Sequence, residues 1–144
     1  MTIQLPETEK LLAPHPKPYK GIEVTLEELK FFIEDTINQK KQPIVIFGAN
    51  WCPDARLLEG VLQLPTVQNF LENRCEILNI DLMDYEINTN LFKFFDPSIS
   101  QGVPRVFIMN LKGRTINLVV NDQMRTARES TLQVTFDYFQ NFLK

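Results

Sequence analysis

The two cysteines, Cys52 and Cys75, are the residues of this sequence best suited to covalent chemistry. Cys52 stands in the segment Phe47–Arg56, where an apolar run ends at Gly48 and a helical pattern begins at Pro53. A cysteine at a helix N-terminus lies near unpaired backbone N–H groups and the positive end of the helix dipole, and both favour the thiolate. The placement therefore predicts an accessible, nucleophilic thiol at Cys52.

Two charged residues follow this thiol in the predicted helix. The carboxylate of Asp54 would disfavour a negative charge on the sulfur atom, whereas the guanidinium of Arg56 would favour it. The sequence does not decide which of the two charges lies closer, so both residues are candidate modulators of the thiolate.

Apolar patterns predict the elements that position Cys52. A capping box at Thr25–Glu28 begins the first helix, and later helices and strands follow from helical spacing and from short β-branched runs. The predicted helices cover residues 26–40, 53–71 with a break at Pro65, 87–96 and 132–143, and the predicted strands cover 44–47, 77–80, 106–109 and 115–119. The last two strands form a hairpin, and Cys52 lies between the first strand and its following helix.

The order of these elements predicts the fold class. Helices and strands alternate until the hairpin and the last helix, which is typical of an α/β protein with a central mixed sheet and helices on both faces. Four of the nine prolines lie between residues 6 and 18 and disfavour a helix there. We therefore expect an extended N-terminal arm over residues 1–20 and a single domain over residues 21–144.

The predicted sheet separates the two cysteines. Cys52 follows the C-terminal end of its strand, whereas Cys75 begins the neighbouring parallel strand. Four to five strand residues separate these edges by about 13–17 Å, and a disulfide requires Cα atoms within about 7 Å. We therefore expect no bridge, and we interpret Cys75 as a small structural residue of the core.

The composition excludes several classes of protein. The chain has 144 residues, of which 44% are apolar and 23% charged, with a net charge of −3. These values suit one globular domain and give no electrostatic case for a nucleic-acid partner. No apolar segment approaches the roughly 18 residues of a membrane helix. We expect a monomer in the cytoplasm, or in the periplasm if a signal peptide was removed.

Neither the single histidine nor a group of neighbouring acidic residues has the spacing of metal ligands. His15 has no Cys or His at ligand spacing. The acidic group Asp81, Asp84 and Glu86 is interpreted as one face of a solvated loop. We predict no metal and no cofactor.

Two motifs resemble those of the thioredoxin-fold family. The segment Trp51–Ala55 follows a buried strand, and Gly102–Pro104 precedes the hairpin. From about Thr25 to Lys144 the chain is similar to bacterial thioredoxin-like and disulfide-isomerase-like proteins, whose active site reads Gly-Ala-Asn-Trp-Cys followed by a second cysteine. The resemblance implies a sheet of four to five strands. It also implies a cis Val103–Pro104 bond against Cys52.

By the same resemblance, an extended substrate strand would bind beside the cysteine, with Trp51, Pro53, Val103 and Pro104 as its contacts. Two departures from the family pattern affect the second half of its reaction. Ala55 stands where the resolving cysteine of a dithiol thioredoxin lies, and Ile46 stands where thioredoxins keep a buried acid. Because the second thiolate releases the substrate from the mixed disulfide, the standard reductase cycle would stop after its first step.

These observations leave three hypotheses for the function. In the first, Cys52 forms mixed disulfides with a protein or with glutathione, and an external thiol resolves them. In the second, the chain is a non-enzymatic peptide-binding module of thioredoxin fold. In the third, Ala55 replaces a natural cysteine, as in a variant made to trap a substrate of a dithiol oxidoreductase. Whether the chain is an enzyme therefore stays open at the level of sequence.

Overall fold

The helices begin and end close to the predicted positions in the computed structural model, which describes residues 2–98 and 101–144. Helix α1 (Leu26–Asn38) has the predicted capping box, in which Glu28 N donates to Thr25 Oγ1 over 3.0 Å and Thr25 N donates to Glu28 Oε1 over 2.9 Å. The break at Pro65 separates α2 (Pro53–Leu62) from α3 (Pro65–Leu71). Local sequence signals thus determine where these helices start.

The remaining helices are α4 (Thr89–Phe95) and α5 (Leu132–Phe142), with a 3₁₀ segment at Gln123–Glu129 before α5. The apolar stripe predicted for the last helix is present, since Phe136 and Phe139 are fully buried. Among the helices of the described residues, none has both the length and the apolar character needed to cross a bilayer.

A mixed sheet forms the centre of the fold. Its strands are β1 (Gln42–Gly48), β2 (Cys75–Asp81) and β3 (Arg105–Ile108), in the order β2-β1-β3. Strand β1 pairs with β2 in parallel and with β3 antiparallel. The α/β class and the mixed sheet are therefore as predicted, with three strands in residues 2–98 and 101–144.

The predicted strand over 115–119 is wrong. Only one isolated bridge joins Met109 to Thr115, and a 3₁₀ turn covers Leu118–Val120. The side chain of Asn117 takes the place of a neighbouring backbone: Ile108 N donates to its Oδ1 over 2.8 Å, and its Nδ2 donates to Val106 O over 2.8 Å. Ile108 O and Val106 N bond instead to the backbone of Ile116 and of Asn121, so this edge of β3 is satisfied on both sides of Asn117 without a fourth strand.

Two apolar layers cover the faces of the sheet. Ile44 and Ile46 of β1 face the layer that contains α2, α3 and α5. Val45 and Phe47, which alternate with them, face the layer that contains α1 and α4. A strand buried on both faces explains the uninterrupted apolar run of β1.

The N-terminal arm contacts the rest of the chain near its start, in its middle and at its end. Near its start, Ile3 N donates to Gln140 Oε1 of α5 over 2.7 Å. Further along, Arg56 Nη2 donates to His15 O over 2.7 Å. At its end, Tyr19 is buried in the apolar layer of α1 and α4. The arm therefore ends beneath the segment that contains Cys52.

Candidate functional site

Cys52 is the N-cap residue of α2, and Pro53 occupies the first helical position. The backbone of Cys52 is extended, with φ of −89° and ψ of 114°. The N–H groups of Asp54 and Ala55 stand in the first turn, where a helix offers them no carbonyl acceptor. Their dipoles and the helix end thus favour negative charge at the cysteine.

The sulfur atom of Cys52 contacts the second motif. Its thiol donates to Val103 O with an Sγ–O distance of 3.6 Å, and the Val103–Pro104 peptide bond is cis. Cys52 is 5% exposed, so the accessible thiol predicted above is wrong for this conformation. The burial arises because Val103, Ala55 and Tyr19 pack in the same apolar cluster as Cys52.

Tyr19 of the arm supports the active-site segment from the inside. Tyr19 N donates to Asn50 Oδ1 over 3.1 Å, and Asn50 Nδ2 donates to Tyr19 O over 2.6 Å. The phenol lies against Gly48, where any Cβ would collide with the ring. Burial, with Glu59 and Asp81 nearby, raises the pKa of Tyr19 far above its usual range, so the phenol stays protonated.

Trp51 is 55% exposed at the surface beside the cysteine. Its Nε1 donates to Met83 O over 2.6 Å, and its ring centroid lies 6.2 Å from that of Tyr85. Tyr85 in turn reaches the second motif, because Gly102 N donates to its hydroxyl over 2.8 Å. The loop after β2 therefore connects the two motifs through aromatic side chains.

The two candidate modulators of the thiolate face away from each other. Asp54 is buried, and its Oδ1 accepts from Arg128 N over 2.8 Å and from Arg128 Nε over 3.2 Å. Arg56 binds the arm through His15 O and through Pro16 O, the latter from Nε over 3.3 Å. The carboxylate of Asp54 is thus balanced by Arg128, and Arg56 holds the arm.

Both departures from the thioredoxin pattern lie inside the protein. Ala55 and Ile46 are almost completely buried. Cys52 and Cys75 are both free, as predicted. In the β1–β2 register, Gln42 is opposite Cys75 at one end and Gly48 is opposite Asp81 at the other, which explains the separation of the thiols.

The interpretation of Asp81 as part of a solvated loop is wrong. Its carboxylate is buried and accepts from Gly21 N and from Met83 N, each over 2.7 Å. It therefore joins the end of the arm to the loop that receives Trp51. The described residues contain no group of three or more His, Cys, Asp or Glu side chains that could hold a metal ion.

Three contributors to the site were missed by sequence reasoning. They are Tyr19, Tyr85 and Arg128, each distant from Cys52 along the chain. Tyr85 has a positive φ of 60°, a backbone state that no residue type around it signals. Only the proline-rich approach to Tyr19 offered a hint, since it predicted an extended segment laid on the domain.

The overall fold of the chain is shared with a known structure. The chain is similar to the crystal structure of disulphide isomerase from Xylella fastidiosa Temecula1, with 24% sequence identity and a TM-score of 0.77. The similarity covers 88% of this chain and 96% of that chain. The chain has a thioredoxin-like fold. No protein-family model matches it, and a search of curated proteins gives no significant match.

The similarity to the Xylella fastidiosa structure thus extends over most of this chain and nearly all of that chain. Four to five strands are expected for this fold, whereas the described residues form three. The predicted strand over 115–119 does not form, because the side chain of Asn117 bonds to β3 in its place.

Proposed function

We propose that the protein carries out thiol–disulfide exchange through Cys52, with a disulfide of a protein or of glutathione as its partner. The observation that carries the proposal is the position of Cys52 Sγ, at the N-cap of α2 and 3.6 Å from Val103 O. Reactive cysteines are found at helix N-termini, where the helix end favours the thiolate. The disulphide isomerase that shares the fold supports the same chemistry.

The first step forms a mixed disulfide. Cys52 loses its proton to solvent, and the thiolate attacks one sulfur of the partner disulfide. The partner S–S bond breaks, a new S–S bond joins Cys52 to one half, and the other half leaves as a thiolate. No net oxidation or reduction has occurred at this point.

Ionisation of Cys52 also prepares the peptide loop for a substrate strand. The protonated thiol donates to Val103 O, whereas a thiolate has no proton to donate. The carbonyl is then free to accept a backbone N–H from an extended substrate. Formation of the nucleophile and binding of the strand therefore favour each other, with Val103 and Pro104 beneath the strand and Trp51 and Pro53 beside it.

Ala55 determines which reactions can be completed. Without a resolving cysteine, an external thiol must attack the mixed disulfide, and that thiol ends as a disulfide with the substrate half. Alternatively, a second thiolate of the substrate attacks, which regenerates Cys52 and leaves the substrate with a rearranged disulfide. The second route is isomerisation, and it requires no further redox partner.

The proposal is tested by adduct formation and by turnover. After incubation with oxidised glutathione, we expect one glutathione adduct on Cys52 in an intact mass spectrum, and we expect the protein to accelerate refolding of a disulfide-scrambled substrate. C52A should abolish both results, and C75A is the matched control that should retain them. Failure of the wild-type protein to form any adduct between about pH 6 and 9 would contradict the proposal.

A second candidate function is a peptide-binding module in which the thiol takes no part. The burial of Cys52 and the apolar Ile46 at the place of the family's acid favour it. The two functions differ in one result: a binding module would capture an extended peptide equally well with C52A, whereas exchange requires the sulfur atom.

A further inference from the structure

Two arginine side chains meet at Gly102, the residue that precedes the cis peptide loop. Arg105 Nε donates to Gly102 O over 2.9 Å. The guanidinium of Arg125 lies directly against the Cα of Gly102, where an added Cβ would collide with it. Gly102 also has a φ of +135°, which favours glycine. The site therefore needs glycine at position 102 both for its backbone and for the approach of Arg125.

Neither guanidinium has an acidic partner among residues 2–98 and 101–144. Within the described part of the chain, the side-chain ion pairs closer than 4.0 Å are Lys41–Glu76 and Arg128–Asp54. The carboxylates that influence Arg105, those of Asp122 and Asp96, act over longer distances. Two positive charges thus stand close together, and no carboxylate of the described residues forms an ion pair with either of them.

The two arginines differ in their freedom to bind a ligand. Arg105 is 7% exposed and fixed by hydrogen bonds to Gly102 O and, over 3.2 Å, to Asn121 Oδ1. Its burial and the nearby charge of Arg125 lower its pKa from the ordinary value, which records the mutual repulsion of the pair. Arg125 is exposed, and its side chain makes no hydrogen bond with the described residues. Arg125 is consequently the group that can bind a ligand, and Arg105 adds positive potential behind it.

This cationic pair lies one residue from the sulfur contact. Val103 O accepts from Cys52 Sγ, and Gly102 is the preceding residue, with consecutive Cα atoms about 3.8 Å apart. A group joined to Cys52 by a disulfide and lying along Gly102–Val103 would therefore extend toward the guanidinium of Arg125.

We propose that Arg125, supported by Arg105, binds a carboxylate of the disulfide partner of Cys52. The inference rests on the exchange reaction proposed above and specifies its substrate class, a disulfide with a carboxylate within about one residue of the reacting sulfur. A small acidic thiol compound and an acidic residue in a protein strand both offer this chemistry.

The test compares rates of mixed-disulfide formation with three small disulfides of different charge. Oxidised glutathione carries carboxylates, bis(2-hydroxyethyl) disulfide is neutral and cystamine is cationic. The wild-type protein should react in that order of rate, and the advantage of oxidised glutathione over the neutral compound should diminish with added salt. R125Q should lower this rate ratio about fivefold, and R125K should retain most of it.

R114Q is the matched control, because it removes the same charge from an exposed arginine beyond the far end of β3. It should leave the ratio of rates unchanged. A second pair of probes, two cysteine-peptide disulfides that differ only by Glu or Gln beside the cysteine, distinguishes the sources of the carboxylate. A preference for the small acidic disulfide identifies a low-molecular-weight thiol, and a preference for the Glu peptide identifies a protein strand.

The outcomes separate this inference from the proposed function. If no probe forms an adduct with Cys52, the exchange function itself fails. If all the probes react at equal rates, or if R125Q and R114Q change the ratio equally, exchange stands and the carboxylate site is refuted.

Discussion

Cys52 and Cys75 have closely similar burial and hydrogen bonding. Their differences therefore show which other features distinguish a candidate nucleophile from a packing residue. Cys52 is 5% and Cys75 4% exposed. Each thiol donates to one backbone carbonyl, that of Val103 or that of Leu71, with a distance of 3.6 Å in both cases. Burial and hydrogen bonding are therefore not what distinguishes them.

The two thiols differ in the end of a helix that they face. Cys52 is the N-cap residue of α2, and although its side chain makes no capping hydrogen bond, the backbone N–H groups at this helix end favour negative charge. Cys75 bonds to a carbonyl in the last turn of α3, at the negative end of that helix. Burial and the charge of Glu76 raise the pKa of Cys75 to about 12. The direction of the neighbouring helix, rather than depth in the core, is therefore the feature by which we propose Cys52 as the nucleophile and Cys75 as a packing residue.

The largest expected difference between Cys52 and Cys75 is in their rates of alkylation in the native protein. At about pH 8, a thiol with the pKa of Cys75 is ionised in roughly one molecule in 10⁴, since each unit below the pKa lowers the thiolate fraction tenfold. Iodoacetamide should therefore add one group to the native chain, at Cys52, and two groups to the chain unfolded in guanidinium chloride. Peptide mapping by mass spectrometry checks the site, and early labelling of Cys75 would remove the distinction drawn here.

A second thiol beside Cys52 would sharpen the comparison, since Cys75 is too distant to serve. A55C introduces that thiol in the first turn of α2, in the same apolar cluster as Cys52. An intramolecular resolving thiol acts at high effective concentration, so reduction of a protein disulfide should increase roughly a hundredfold at low external thiol. The measurement is the rate of reduction of a model protein disulfide.

The control for this gain is A55S, because serine has nearly the same size as cysteine but cannot form a disulfide. It should behave as the wild-type protein does. An A55C protein that gains no reductase activity would favour the peptide-binding module over exchange.

Tyr19 of the arm belongs to the apolar cluster of Cys52 and not to that of Cys75, so removal of its side chain should affect Cys52 more than Cys75. Y19A deletes a buried ring from the cluster around Cys52 and should lower the free energy of unfolding by about 3 kcal/mol. Y19F keeps the ring and should lower it by less than about 1 kcal/mol. Urea unfolding gives both values. Alkylation of Cys52 should become faster in Y19A, and an equal change at Cys75 would indicate general loosening instead.

Local signals predicted much of the fold. The capping box of α1, the break at Pro65 and the apolar run of β1 each depend on residues that are neighbours in the chain. The prediction of a strand over 115–119 was wrong because the structure there depends on contacts between residues that are distant along the chain. Asn117 replaces strand pairing with side-chain hydrogen bonds to Val106 and Ile108, about ten residues earlier, and a β-branched run does not reveal such a contact.

The candidate site was predictable where it follows from motifs. Cys52 and Val103 belong to two short segments whose spacing from strands could be judged in advance. Tyr19, Tyr85 and Arg125 reach the site from distant parts of the chain, and the proline-rich segment before Tyr19 predicted only that the arm lies on the domain. The burial of Cys52 was not predicted either, because it depends in part on Tyr19, which is distant from Cys52 along the chain.

The smallest expected effect concerns the stability that Cys75 contributes as a neutral thiol. Its pKa in the folded protein, about 12, is above that of a thiol in the unfolded chain. The unfolded chain therefore loses this proton first, and stability present below about pH 9 is lost as the pH rises toward 12. By about pH 10 the wild-type protein should lose about 1 kcal/mol more than C75A does. Burial also raises the pKa of Tyr138 to about 12, but this phenol is present in both proteins, so its contribution cancels.

Urea unfolding at about pH 8 and pH 10 measures this difference within each protein, so any loss of packing in C75A does not enter it. An identical pH dependence in the two proteins would mean that the helix end and burial do not disfavour the Cys75 thiolate. The contrast with Cys52 would then rest on the carbonyl acceptors alone, because Val103 O, unlike Leu71 O, belongs to a segment outside any helix, where we propose that a substrate N–H replaces the thiol.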